Sequence, residues 1–431
     1  MRKLGILIFL ILASAACHAD WELRRDDLNK ERPPIVDGVV SLTIGKPDLP
    51  FPRYLNELGV KSIQVHFKDT GGVQKRLSVV WTGGSQGQDK FAVTVDGVPA
   101  GESKTIESER MPYAWHRDSF LVKLGPGEAH VVEIKAIPEF PSAIELSGIR
   151  LSSPDEPDYQ PLCYESAGSL ERYEKLLGEK GTVIQSSHLW VFAPQENAVE
   201  AKALAALLDK AYAAMKAEYG TDLMFKFSVE HYPSGTERGW GGISGAGTLG
   251  YTTESLERFK ELSTTNVRGF AGYVEEMCHA FASQNGCAGT YEALGVAVSE
   301  EVSRRLVTPA VADAFWLPEH QKWNETQQAY LAAGRKNPDK AKYPNRVLYT
   351  RILNALFLKL RNEYGERMWP DFLAELRQQD YPLHRAKDTE RMKVYADIFS
   401  AIFKRDMRKE FTDFGIDLEA DPPWGWQTRA D

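Results

Sequence analysis

The stretch Glu275-Glu276-Met277-Cys278-His279 has the residue types and spacing that bond-breaking chemistry uses. On a helix, positions 275 and 279 lie one turn apart on one face, so Glu275 and His279 can converge on a single ion. Glu276 is turned about 100° from Glu275, which sets it beside such an ion. A metal-dependent hydrolase divides its labour this way: ligands fix the metal, and a neighbouring carboxylate takes the proton of the attacking water. The same spacing also arises without function, as a solvated acidic edge over a core histidine. Spacing alone leaves both readings open.

The elements that must position these residues follow from periodicity. Val267 to Ser283 and Tyr291 to Leu306 carry helical patterns, as does most of the chain from Pro344 to Phe414. Leu204, Leu207, Leu208, Ala211, Tyr212 and Met215 mark another helix, bounded by Pro194 and Gly220. Leu223 to Val229 reads as a strand. Gly239 to Gly250 holds six glycines with Ile243 and Leu249 interleaved and Tyr251 following, an edge strand or a flap. Earlier in the chain, short strands are predicted at Val60–Phe67, Leu77–Trp81, Phe91–Val95, Phe120–Leu124, Val131–Ile137 and Ile144–Leu151. Closely spaced strands with no helical pattern between them predict a β-sandwich. Ser152 to Leu162, with three prolines and three acids, reads as a linker.

Length and composition bound the class. The 431 residues are 43% hydrophobic and 26% charged, as in ordinary folded domains. A formal charge of -8 argues against a nucleic-acid partner. Arg2 and Lys3 precede an apolar run from Leu4 to Leu12, too short to span a bilayer, so an export signal cleaved after Ala19 is expected. A lipoprotein anchor at Cys17 is the competing reading. No later stretch has the length of a membrane span, and the destination is periplasmic or extracellular. Export leaves Cys163, Cys278 and Cys287; Cys278 and Cys287 are close enough in sequence to bridge, and sequence does not decide whether they do.

Residues 188 to 420 resemble gluzincin-type metallopeptidases, closest to the enhancin-like, mucin-acting group and the plant basic secretory protein family. These families carry His-Glu-x-x-His on one helix and a further acidic ligand on the next. The resemblance extends to Gly241-Gly242-Ile243-Ser244-Gly245 through Gly250-Tyr251, where the families place a substrate-binding edge strand. It extends also to Glu363 through Trp369, and to Lys404 through Ile416, which ends Phe411-Thr412-Asp413-Phe414-Gly415-Ile416. The resemblance implies a metal held by Glu275, His279 and Glu292, with Glu276 as general base and with Gly241, Gly242 and Tyr251 against the substrate.

The chain departs from the family pattern at two places. Glu275 stands where the first histidine would be. Alignment on Gly295 puts Leu294 at the acidic-ligand position, leaving Glu292, Glu300 or Glu301 to substitute. Two carboxylates and one imidazole accept zinc but shift preference toward manganese, magnesium or calcium. Anionic ligands also make a bound water less acidic. The implied cofactor is therefore zinc, or none if the chain is a pseudoenzyme.

Other chemistries fit less well. Neighbouring carboxylates on one helix diverge, which disfavours a glycosidase pair. No Gly-x-Ser-x-Gly stands in the sequence, and the Gly-x-Gly-x-x-Gly at Gly245–Gly250 lacks a βαβ context.

Phe91 to Val98 and Ile144 to Leu151 resemble the galactose-binding-like modules attached to secreted hydrolases. That resemblance makes Trp81, Tyr113 and Trp115 candidates for stacking on sugar rings, although Trp81 can equally end a core strand and Trp115 pack beneath a loop. The expected architecture is multidomain: a signal peptide over 1–19, a β-sandwich over 20–155, a zincin-like α+β domain over 156–320 and a helical C-terminal lobe over 321–431. The expected function is an exported metallopeptidase acting on protein, peptide or glycan outside the cytoplasm. The alternative is a catalytically dead binding protein of the same fold.

Overall fold

The computed structural model describes residues 21–24, 35–37, 39–43, 54–55, 60–69, 74–82, 88–104, 106–107, 115–137, 144–162, 166–236, 243–245, 248–256, 267–285, 291–378 and 388–419. The predicted signal peptide, Cys17, Tyr113, Cys163, Gly241, Gly242 and Cys287 lie outside them. The chain is a mixed α and β protein with several sheets, divided into two compact units, one reaching to Tyr159 and the other running from Gln160.

The first unit is built of strands. They are β1 (Trp21–Arg24), β2 (Ile35–Val36), β3 (Val39–Thr43), β4 (Tyr54–Leu55), β5 (Ser62–Lys68), β6 (Gln74–Thr82) and β7 (Gln88–Asp89). There follow β8 (Phe91–Val95), β9 (Val98–Glu102), β10 (Ile106–Glu107), β11 (His116–Lys123), β12 (Ala129–Ala136) and β13 (Ile144–Ser152). One sheet runs β1-β13-β6-β11 with β4 beside β13, and a second runs β2-β3-β5-β12-β8-β9. Alternating inward residues of both sheets, among them Ile63, Val65, Leu77, Val79, Phe91, Val132 and Ile149, enter one core, so the two sheets pack face to face as a sandwich. The parallel pairing of β3 with β5 lies outside the sequence reading.

The acidic, proline-rich stretch after β13 is not a free linker. Asp158 pairs with Arg117 at 2.6 Å and with Arg76 at 3.4 Å, while Glu156 takes Arg150 at 2.8 Å. Three arginines of the sandwich thus hold it down, and Tyr159 is buried.

The second unit opens with α1 (Leu170–Leu177) and β14 (Gly181–Gln185), then β15 (Leu189–Pro194), α2 (Ala198–Tyr219) and β16 (Phe227–Tyr232). Next come β17 (Ile243–Gly245), β18 (Thr248–Thr252), α3 (Val267–Gln284), α4 (Tyr291–Leu306) and α5 (Pro309–Ala332). Four more helices follow: α6 (Asn345–Tyr364), α7 (Met368–Gln378), α8 (Asp388–Phe403) and α9 (Arg408–Asp413). The sheet order is β14-β15-β16-β18-β17, which makes β17 an edge strand, one of the two forms expected for this glycine-rich stretch. The strand expected at Leu223–Val229 forms later, at Phe227–Tyr232, and is buried along its whole length.

Helix α2 buries the predicted Leu204, Leu208, Ala211, Tyr212 and Met215 and ends on Gly220 in the left-handed conformation. Helix α5 was not expected. It carries Pro318 inside it, and Ala312, Trp316, Trp323 and Tyr330 on its buried side hold it in place. At the end of α9, Gly415 adopts φ 93° and Ile416 N–H donates to Phe411 O at 3.0 Å. That turn buries Phe411 and Ile416 together, a local packing reason for the Phe-x-x-Phe-Gly-Ile phrase.

Candidate functional site

Helix α3 is apolar on the side that meets the core, where Val274, Met277, Cys278 and Phe281 have no exposed surface. The other side presents Glu275 and Glu276, both half-buried, and His279, which is 8% exposed. One carboxylate oxygen of Glu276 lies 3.4 Å from Nδ1 of His279. The acid that stands against the imidazole is therefore Glu276, three residues away on the helix.

The next helix is pressed against that ring. A Cβ built on Gly295 of α4 would stand 2.7 Å from Cδ2 and 2.8 Å from Nε2 of His279, and 3.5 Å from the backbone oxygen of Glu275. Side-chain carbons do not sit that close, so only glycine permits this approach. One turn later, Ser299 Oγ donates to Ala271 O at 3.1 Å and ties the two helices together. Glycine at 295 thus lets the backbone of α4 close on the Cδ2–Nε2 edge of the ring.

Two aromatic residues and a second histidine back the site. Tyr251 of β18 lies against Tyr273 of α3, with ring centroids 3.9 Å apart. Burial pushes the Tyr251 phenol well above its usual range, and Tyr273, Glu276 and Glu275 add to the shift. Burial pushes Tyr273 up as well. The fully buried His231 of β16 has Nδ1 2.9 Å from Phe192 O and Nε2 2.8 Å from Tyr273 Oη. A carbonyl can only accept, so Nδ1–H donates to it and Nε2 accepts from the Tyr273 hydroxyl. Burial lowers His231 to about 4, so near neutrality it is an uncharged strut joining the sheet to α3.

Of the predicted site residues, Glu276 meets His279, and Tyr251 lies near enough to Glu275 and Glu276 to feel their charge. Glu292 opens α4, but its side chain is not among those described; Gly241 and Gly242 also lie outside. Among the described residues no group of three His, Cys, Asp or Glu stands close enough to hold a metal ion. Cys278 is a buried free thiol. His231, Tyr273 and Gly295 were not predicted as site residues. A Glu-His pair inside a short strand with Phe227 and Val229 was the available signal for His231.

The candidate sugar-stacking residues are corrected. Trp81 is 0% exposed; it lies inside β6, donates Nε1–H to Asp118 Oδ2 at 2.8 Å and meets Phe91 edge-on at 5.0 Å. Trp115 is buried too. Neither presents a ring face to a sugar.

A scan against protein-family models and a search of curated proteins gave no match. Solved structures similar to the chain include a conserved protein of unknown function from Bacillus anthracis str. Ames, in a mutant form, at 12% identity and TM-score 0.41, covering 82% of this chain and 71% of that one. The catalytic module of the metalloprotease ZmpA from Clostridium perfringens matches at 15% identity and TM-score 0.35, over 94% of this chain and 77% of that one. A family 35 carbohydrate-binding module from an environmental isolate matches at 11% identity and TM-score 0.20, over 31% of this chain and 93% of that one. At such scores these likenesses carry no argument, and the chain's own side chains must supply it. No helix among the described residues is long and apolar enough to cross a membrane.

Proposed function

We propose that the second unit is a metallopeptidase-like domain of an exported protein, acting on an extended segment of secreted protein or glycoprotein at α3. The observation that supports the reading is the carboxylate of Glu276 against His279, with Tyr251 within reach of the charges of Glu275 and Glu276 and Gly295 of the next helix packed on the Nε2 edge of the imidazole. A divalent ion would be held by His279 and Glu275, with Glu292 from the start of α4. When bound, such an ion polarises a carbonyl and acidifies a water.

The rest falls to the chain itself. Glu276 takes the proton of the attacking water. His231 and Tyr273 hold α3 against the sheet. Tyr251, kept protonated, offers its O–H to an oxygen that gains negative charge. The edge strand β17 pairs with the substrate backbone. The first unit, read as galactose-binding-like, would hold the enzyme to its target, although not through Trp81 or Trp115.

The test is metal content and proteolysis in the full chain. About one zinc or manganese per chain is expected, lost in His279→Ala and kept in Glu276→Gln, with glycoprotein cleavage abolished in both. A protein that takes up neither metal at saturating concentration overturns the enzyme. Retention of unfolded or glycosylated protein in that metal-free form would then support the binding protein.

A further inference from the structure

A histidine holds a metal through the lone pair of one ring nitrogen, at about 2 Å. Nδ1 of His279 stands 3.4 Å from the carboxylate of Glu276. An ion on that side would occupy the group that must take the water's proton, so Nε2 is the nitrogen left for it. Nε2 is buried. The backbone of α4 covers the Cδ2–Nε2 edge at Gly295, where a built Cβ would stand only 2.8 Å from Nε2. A metal ion with its coordination shell needs more room than a methyl group. As folded, the ring is shut on the side that would bind.

One helix shuts it, and that helix is tied on several sides. Ser299, one turn beyond Gly295 on the same face, donates Oγ–H to Ala271 O of α3 at 3.1 Å. On other faces of α4, Ser303 Oγ accepts from Trp316 Nε1–H of α5 at 2.9 Å, and Glu301 takes Arg361 of α6 at 2.9 Å. Arg305 pairs with Glu218 of α2. Of these ties, the Ser299 bond joins α4 to the helix that carries His279, and Ser299 has no exposed surface.

We infer that α4 is a latch on the candidate metal site: Nε2 of His279 is open to an ion only while α4 is drawn back from α3, so the Ser299 bond governs how fast the site loads. The inference rests on the proposed metal-dependent reading and adds its control. Ser299 is a positioning residue, acting through α4. A hydrogen bond of this kind, made in the latched form and broken in the open one, is worth about two- to tenfold in the population of the open form.

The experiment follows zinc uptake by the full chain, stripped of metal beforehand, after rapid mixing with zinc and an indicator; the phase that counts is the one His279→Ala lacks. Ser299→Ala should load about two- to tenfold faster than the parent. It should release zinc at the parent's rate, because the bond is already broken in the loaded form. A merely structural role for Ser299 would lower the melting temperature and leave both rates alone. Should Ser299→Ala fail to fold, Glu301→Gln loosens α4 from α6 instead and must quicken loading. Equal loading in parent and variant overturns the latch and leaves the metal-dependent reading standing; a ring that simply flips about its Cβ–Cγ bond while α4 stays would give that result. If neither protein takes up zinc, the metal-dependent reading falls and the latch with it.

Discussion

Replacing Gly295 by alanine tests whether α4 is truly wedged against the His279 ring. In an ordinary helix interior the change stabilises by about 0.5 to 1 kcal/mol, because glycine loses more backbone freedom on folding. Here the added methyl would meet Cδ2 at 2.7 Å and Nε2 at 2.8 Å. Overpacking of that kind costs about 1 to 3 kcal/mol, so the expected net effect is a loss of about 1 kcal/mol. Removing the ring with His279→Ala should restore the usual gain for Gly295→Ala. The coupling between the two sites is then about 2 kcal/mol, read from a double-mutant cycle. Denaturant unfolding followed at 222 nm is the suitable assay, because the described helices all belong to the second unit. Equal stabilisation by Gly295→Ala in both backgrounds would refute the wedge.

Three further outcomes are expected. His231 binds its proton at about 4 when folded and near 6.5 when unfolded, so stability is full above pH 6.5 and falls as pH drops toward 4, by about 3 kcal/mol in all; His231→Gln should flatten that acid limb in pH-dependent melts, and superimposable limbs would contradict the assignment. Burial, with Glu275 and Glu218 nearby, pushes the Cys278 thiol up, so peptide-mapped iodoacetamide labelling at Cys278 should be about a hundredfold or more slower in the native protein than in urea. Gly415 combines φ 93° with a Cβ position 2.7 Å from Tyr330 Cε1; Gly415→Ala should cost about 2 kcal/mol or more and lower the melting temperature by several degrees.

Much of the architecture is legible in residue order. The apolar spacing of α2 and its Gly220 stop, the helices α3 and α4, and the strands β6, β8, β12 and β13 follow from period and punctuation. Helix α5 does not, because Pro318 breaks the local pattern and only burial of Trp316 and Trp323 restores it. Strand β16 is buried on both faces, so it lacks the alternation that would have fixed its start.

The site divides in the same way. Spacing set Glu275 on the face of His279, whereas the carboxylate beside the imidazole is that of Glu276, three residues away and also within one helical turn. The bond from His231 to Tyr273 spans 42 residues, and no local pattern reports it. Trp81 misled because an aromatic beside a glycine turn looks exposed. Its indole turns inward because Asp118, on the neighbouring strand β11, accepts its N–H, and pairing between strands is invisible in one sequence.

The fit of α4 against the imidazole has a mechanical consequence. A rod with no room for one methyl group on its inner side cannot yield there to pressure from outside. Any push that drives this helix inward must either stop at the ring of His279 or carry the ring with it.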